Sequence, residues 1–144
     1  DIYTALTLAT ENLNELLVEK GVSVSISDKG CIEIDGDMEW TMEAFINVIK
    51  NCIEHSAPGS IIHCDYLANP LYVEVLIWDE GKGFKEEDIP HLFERFYKGK
   101  DTSEKGIGIG LSLARSIFEM QNGNITARNM PEGGACFEIR VYSH

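Results

Sequence analysis

The sequence predicts an α+β fold. It is a two-layer sandwich in which a mixed, mostly antiparallel sheet carries helices stacked on one face. Three observations lead there. Short alternating runs come in hairpin-like pairs. Amphipathic stretches of helical period separate those pairs. The length, 144 residues, is that of one domain, so 1–144 is expected to share one core.

The elements follow in order. Residues 3–19 place Leu6, Leu13, Leu16 and Leu17 on one helical side and stop at Gly21. Residues 22–26 alternate apolar and polar as a strand does, Lys29-Gly30 turns, and 31–34 reads as a second short strand. Residues 38–56 are helical and end before Pro58-Gly59. Two strands, 61–67 and 71–78, flank Asn69-Pro70. Residues 79–107 are rich in glycine and charge, with one helical turn near 86–91. A connection this long without regular structure is usually a functional segment or a disordered one, and its glycines and aromatics favour a ligand loop. A helix over 108–121, a turn at 122–124, and strands 125–129 and 135–142 complete the chain.

Composition sets limits on function. Hydrophobic content of 44% and charged content of 25% are ordinary for a globular protein. No apolar run approaches the roughly 20 residues that span a bilayer, so membrane insertion of this piece is not expected. The net charge of −12 should repel nucleic acid and anionic membranes. Half of the twelve Lys and Arg fall within 82–105, balanced there by six acids, so an anionic ligand meets its least hostile surface in that window. Cys31, Cys52, Cys64 and Cys136 have no C-x-x-C spacing, and free thiols in a reducing cytosol are expected. The four histidines form no metal-ligand spacing with them. The first residue is Asp1 rather than Met, and a fragment of a longer protein is expected.

Four segments carry candidate chemistry. In the helix over 38–56, a step of about 100° per residue places Asn51 at about 40° from Asn47, Glu43 at about −40° and His55 at about 80°. Met42, Phe45, Ile49, Cys52 and Ile53 fall opposite. Asn is a poor helix former, so two of them at i, i+4 are costly for a merely solvated face. Their amide oxygens converge where a hydrated cation such as Mg²⁺ would fit. Asp79-Glu80-Gly81-Lys82-Gly83 follows an apolar strand. A carboxylate there accepts from an exocyclic amine, which adenine offers, and the glycines let a flat ring approach. In residues 93–98 aromatics alternate with charge, and Arg95 and Lys98 can meet a phosphate. Gly106, Gly108 and Gly110 open the next helix, where backbone N–H groups favour phosphate. This is neither the dinucleotide fingerprint nor a P-loop.

Taken together, Asp37, Asn47 and Asn51, then Asp79-x-Gly81-x-Gly83, the 93–97 cluster, Gly106-x-Gly108-x-Gly110-Leu111-Ser112, and Gly133-Gly134 with Phe137 resemble the catalytic ATP-binding domain of sensor histidine kinases. In that family they are the N, G1, F and G2 boxes and a closing glycine pair. The resemblance spans essentially the whole chain and implies the Bergerat fold shared with type II topoisomerase ATPase domains, Hsp90 and MutL. It implies ATP and Mg²⁺ as cofactors, with Asn51 as metal ligand and Asn47 beside it. Asp79 would read adenine in a pocket shaped by Gly81 and Gly83. Gly106, Gly108 and Gly110, with Leu111 and Ser112, would hinge a mobile ATP lid over 98–108, anchored by Phe93 and Phe96. His55 would stand against the nucleotide. Glu54 replaces a Lys common in the family, so phosphate-facing charge would come from Lys50, Arg95, Lys98 or Lys105. Cys52 replaces a usual Ala.

The resemblance further implies phosphoryl transfer to a histidine on a separate dimerisation domain. No histidine here has that context, and the chain starts where such a helix pair would end. The response regulator would be an indirect partner. The domain would be cytoplasmic and its parent a membrane-bound sensor. A hydrolysing relative, an anti-sigma-type serine kinase, and a module that has lost catalysis are the competing classes. Hydrolysing relatives carry a Glu at the position of Asn47, so slow hydrolysis is expected, with Glu43 one turn away as the residue able to upset it.

Overall fold

The structure, a computed structural model, describes residues 1–95 and 110–143. Helix α1 (Ile2–Asn12) is followed by α2 (Asn14–Lys20), strand β1 (Ser23–Ile26), α3 (Met38–Glu54), β2 (Ile61–Ala68) and β3 (Tyr72–Trp78). A 3₁₀ turn (Ile89–His91), α4 (Gly110–Met120), β4 (Gly123–Asn129) and β5 (Ala135–Tyr142) follow. The sheet order is β1-β2-β3-β5-β4. β1 and β2 run parallel and every other neighbouring pair is antiparallel. The expected α+β sandwich with a mixed, mostly antiparallel sheet is what forms.

Two expectations need correction. The helix over 3–19 is two helices meeting at Leu13 (φ −96°, ψ 9°). Asn12 and Asn14 flank the break, and such side chains favour caps and turns over helix interiors. No strand forms over 31–34, so β1 has no hairpin partner there. β1 instead pairs in parallel with β2, and α3 is the crossover that a parallel pair requires. Residues around 29–32 find other partners for their backbone. The Lys29 N–H donates to Tyr66 Oη at 2.9 Å, and that hydroxyl donates to the Gly30 carbonyl at 3.0 Å. The Ile32 carbonyl accepts from Ile2 N–H at 2.9 Å. Ile32 and Ile34 do point inward against the core. The alternation seen in the sequence is therefore real, but it belongs to a strap rather than a strand.

The core lies between the helices and one sheet face. α3 buries Phe45, Val48, Ile49, Cys52 and Ile53, and packs between α1 and α4. β2, β3 and β5 face it with Ile62, Tyr66, Ile77, Phe137 and Ile139. The opposite sheet face mixes charged side chains with aromatic and aliphatic ones, among them Glu74, Glu138 and Arg140 beside Tyr72, Leu76 and Trp78. Arg140 bridges Glu74 at 3.3 Å and Glu138 at 2.9 Å and lies over the Tyr72 ring at 4.5 Å. The helices pack on the other face, where the strands present a continuous apolar layer.

α3 and α4 run against each other and are joined at one end by Gln121. Its Oε1 accepts from the Asp37 N–H at 3.0 Å and from Thr41 Oγ1 at 3.1 Å. The Asp37 carboxylate caps α3 by accepting from Trp40 N–H at 3.0 Å. Further along, the Phe45 and Phe118 rings meet at 5.8 Å. No helix among the described residues is long and apolar enough to cross a membrane.

All four cysteines are free, and only Cys31 is exposed. Burial pushes the Cys64 thiol up to about 12. Burial, followed by the Asp79 carboxylate, pushes Cys52 well up. The neutral form of both thiols is therefore favoured far above physiological pH, and a neutral thiol is a poor nucleophile. Alkylation of the native protein at pH 8 should modify Cys31 alone, while the urea-unfolded protein should lose all four thiols; rapid native modification of Cys52 or Cys64 would contradict the burial. Phe45→Ala should cost about 3–5 kcal/mol in a urea titration, because the rigid α1–α3–α4 layer cannot close over the lost ring.

Candidate functional site

β3 ends in an acid that the core surrounds. Asp79 is 3% exposed. Its Oδ1 accepts from Gly81 N–H at 3.0 Å and from Ala135 N–H at 3.1 Å. The Asp79 N–H in turn donates to the Ala135 carbonyl at 3.0 Å. Main chain and side chain thus bind the same residue of β5. Gly134 makes this possible: its φ is +101°, and a Cβ there would collide with the Asp79 carbonyl. Among the described residues nothing donates to Asp79 Oδ2. A carboxylate with one oxygen locked by two backbone donors and the other unengaged has a fixed direction in which to accept from a ligand.

The turn after Asp79 lies beside the end of α3. The position a Cβ would take on Gly81 is 3.2 Å from the His55 carbonyl, so His55, the C-cap of α3, adjoins the Asp79 turn. Gly83 has φ +80°. Phe84 follows with its ring edge-on to Phe137 at 5.6 Å, and Phe93 approaches Phe137 at 6.3 Å. Phe93 is therefore anchored on the core through β5. Arg95 ends the first described segment and is exposed.

The polar face of α3 lies where the helical angles put it. Asn47 and Asn51 are half-buried, while Glu43, Lys50, Glu54 and His55 are exposed. The Asn47 Nδ2 donates to the Glu43 carbonyl at 3.0 Å. Its Oδ1 faces the start of α4, 3.0 Å from where a Cβ on Gly110 would stand. A side chain at 110 would press on that amide, so glycine keeps the two helices close. No hydrogen bond engages the Asn51 amide among the described residues. Its oxygen is available to a ligand.

Leu111 is buried in the core at the first turn of α4, and Ser112 is half-buried. Phe96, Lys98, Lys105, Gly106 and Gly108, and with them the lid over 98–108, lie outside the described residues. The structure thus sets His55 beside the Asp79–Gly81 turn and Asn47 beside Gly110 at the start of α4, with Asn51 on the same face of α3 between Asn47 and His55. Two residues of the frame were missed in the sequence. Asn129 pairs with the backbone of Phe84, and Gln121 ties α4 to the cap of α3. Neither stands in a box, and an Asn at a strand end carries no periodic signal.

Comparison with known proteins agrees with this geometry. Residues 36–143 match the family described as histidine kinase-, DNA gyrase B-, and HSP90-like ATPase. The sensor protein SphS of Synechococcus elongatus is 32% identical over 153 residues, covering 98% of this chain and 37% of that protein. The sensor protein KdpD of Escherichia coli is 31% identical over 111 residues, covering 76% of this chain and 12% of that protein. The chain thus spans well under half of these relatives. Among solved structures, the mycobacterial sensor histidine kinase MprB aligns with a TM-score of 0.86 at 20% identity, over 99% of this chain and 95% of that one. The ATP binding domain of PrrB from Mycobacterium tuberculosis aligns with a TM-score of 0.78 at 24% identity, over 100% and 95%. The chain belongs to the histidine kinase-, DNA gyrase B- and HSP90-like ATPase family, and within it is a catalytic ATP-binding domain of the sensor histidine kinase type.

Proposed function

We propose that this domain, spanning 1–144, binds Mg·ATP and passes the γ-phosphoryl group to a histidine on a separate dimerisation domain of the same kinase. The observation that carries this reading is Asp79, 3% exposed, with Oδ1 held by two backbone donors and Oδ2 unengaged among the described residues. A buried acceptor so aimed selects a donor. Adenine presents an exocyclic amine, whereas guanine presents a carbonyl oxygen at the equivalent position. Gly81 and Gly83 form the wall beside the base, with His55 at its rim. Phe93 and Phe96 anchor the lid, and Gly106, Gly108, Gly110, Leu111 and Ser112 bring it to the phosphates. Lys50, Arg95, Lys98 and Lys105 supply positive charge in place of the family's Lys at Glu54.

The residues present fit a magnesium ion. Among the described residues no cluster of three or more His, Cys, Asp or Glu could cage a metal. Mg²⁺ dehydrates reluctantly and is commonly held by one or two protein oxygens together with waters and substrate phosphates. The Asn51 amide oxygen suits that role, with Asn47 one turn earlier. When bound, the ion would offset phosphate charge that the acidic body, at −12, does not. The chain's own part is to orient: Asn51 and the lid backbone hold the phosphates in line, and Asp79 fixes the base. Asn47 is an amide whose Nδ2 is already bonded to the Glu43 carbonyl. It cannot take a proton from water, so hydrolysis by the isolated domain is slow. The parent would be a membrane-bound sensor with this domain in the cytoplasm, acting on a response regulator through the phosphohistidine and not on nucleic acid.

Calorimetric titration with ATP should give binding that tightens with Mg²⁺, and Asn51→Ala should lose most of that gain, on the order of tenfold or more in Kd. Turnover should be slow and unchanged in Glu43→Gln. Absence of ATP binding at any magnesium concentration, or rapid hydrolysis by the wild type, would overturn the proposal.

A further inference from the structure

Asn129 closes β4 and faces Ala135 across the β4–β5 pair. Its side chain turns toward Phe84. Oδ1 accepts from the Phe84 N–H at 2.7 Å, and Nδ2 donates to the Phe84 carbonyl at 2.8 Å. Nδ2 also lies 3.4 Å from Glu86 Oε1. A single side chain thus supplies both bonds that a neighbouring strand would supply, to a residue outside any strand or helix. The contact extends to Gly83, where a Cβ would stand 2.5 Å from Asn129 Oδ1 and 3.3 Å from the Gly134 carbonyl.

The 81–84 backbone is therefore pinned at both ends. At one end Gly81 N–H bonds to Asp79, and at the other Phe84 bonds to Asn129. Both pins lead to the same place on β5, because Ala135 pairs with Asn129 and donates to Asp79. Removing Asn129 would leave the second pin to the Phe84 ring on Phe137 alone, and that contact leaves the backbone free to rotate.

We propose that Asn129 is a positioning residue: by pairing with Phe84 it holds the 81–84 backbone in register with the Asp79 carboxylate, and so sets the preference of the site for adenine over guanine nucleotides. The inference rests on the ATP reading above. The Asp79 carboxylate discriminates fully only while the base is held in register, because guanine carries an amine of its own at C2. Guanine reaches Asp79 with that amine only if the ring shifts in its plane. A fixed wall forbids the shift, and a slack one permits it.

The test is titration of wild type, Asn129→Ala and Asn129→Asp with ATP and with GTP, together with amide exchange at Phe84. The Kd for ATP should rise about tenfold in Asn129→Ala, the Kd for GTP should change less, and the ATP-over-GTP preference should fall several-fold. The Phe84 amide should lose protection while those of β5 keep theirs. Should Asn129→Ala fail to fold, Asn129→Asp decides. It keeps the size and the acceptor but loses the donor and sets a carboxylate against the Phe84 carbonyl and Glu86. An unchanged ATP-over-GTP preference in either folded variant, with wild type binding ATP normally, overturns this inference alone. A wild type that does not bind ATP overturns both readings.

Discussion

The attachment of Asp79 to Ala135 organises this domain. Three hydrogen bonds meet there: the Asp79 N–H to the Ala135 carbonyl, the Ala135 N–H to the Asp79 carboxylate, and the Gly81 N–H to the same carboxylate oxygen. A carboxylate at 3% exposure is tolerated only because backbone donors replace its water. The arrangement demands a glycine at 134, since any side chain would meet the Asp79 carbonyl. It also joins the end of β3 to the start of β5, two strands that carry Val75, Ile77, Phe137 and Ile139 of the hydrophobic layer under α3. The fixed direction of the Asp79 carboxylate and the pairing of β3 with β5 thus meet at one junction.

α3 serves both layers at once. Its Phe45, Val48, Ile49, Cys52 and Ile53 are sealed in the core, and its opposite side presents Asn47 and Asn51. Asparagine weakens a helix, and here the packing of α1 and α4 on either side offsets that cost. The close approach of Gly110 to Asn47, midway along α3, and the bonds of Gln121 to Asp37 and Thr41 at its start hold the two ends of α4 against α3. Helix packing thus holds the first turn of α4 beside Asn47.

Much of this was legible in the sequence. The periodicity of 38–56 separated the buried and polar faces of α3 correctly, because a helix in contact on one side expresses its geometry in every residue. Asp79 and Gly134 were legible as parts of a spaced pattern. What escaped depended on partners remote in sequence. The 31–34 run alternates as a strand does, but Ile2 takes the Ile32 carbonyl and Tyr66 holds the backbone of Lys29 and Gly30 just before it. Alternation reports burial, not pairing. The hairpin expected for β1 failed for the same reason: a parallel partner beyond α3 leaves no local signal. Asn129 and Gln121 act through side-chain amides on backbones 45 and 84 residues away, a relation no local window contains.

The central claim is that Asp79 reads the base. Competition of ATP and GTP for the wild type and for Asp79→Asn, with folding checked by thermal unfolding, tests it most directly. The substitution keeps the shape but makes the acceptor neutral and adds a donor, which suits guanine's carbonyl oxygen better than adenine's amine. The account predicts strong ATP preference in the wild type and its loss, with ATP weakened by at least about tenfold, in a folded Asp79→Asn protein. An Asp79→Asn domain that binds ATP with wild-type affinity and preference would contradict it.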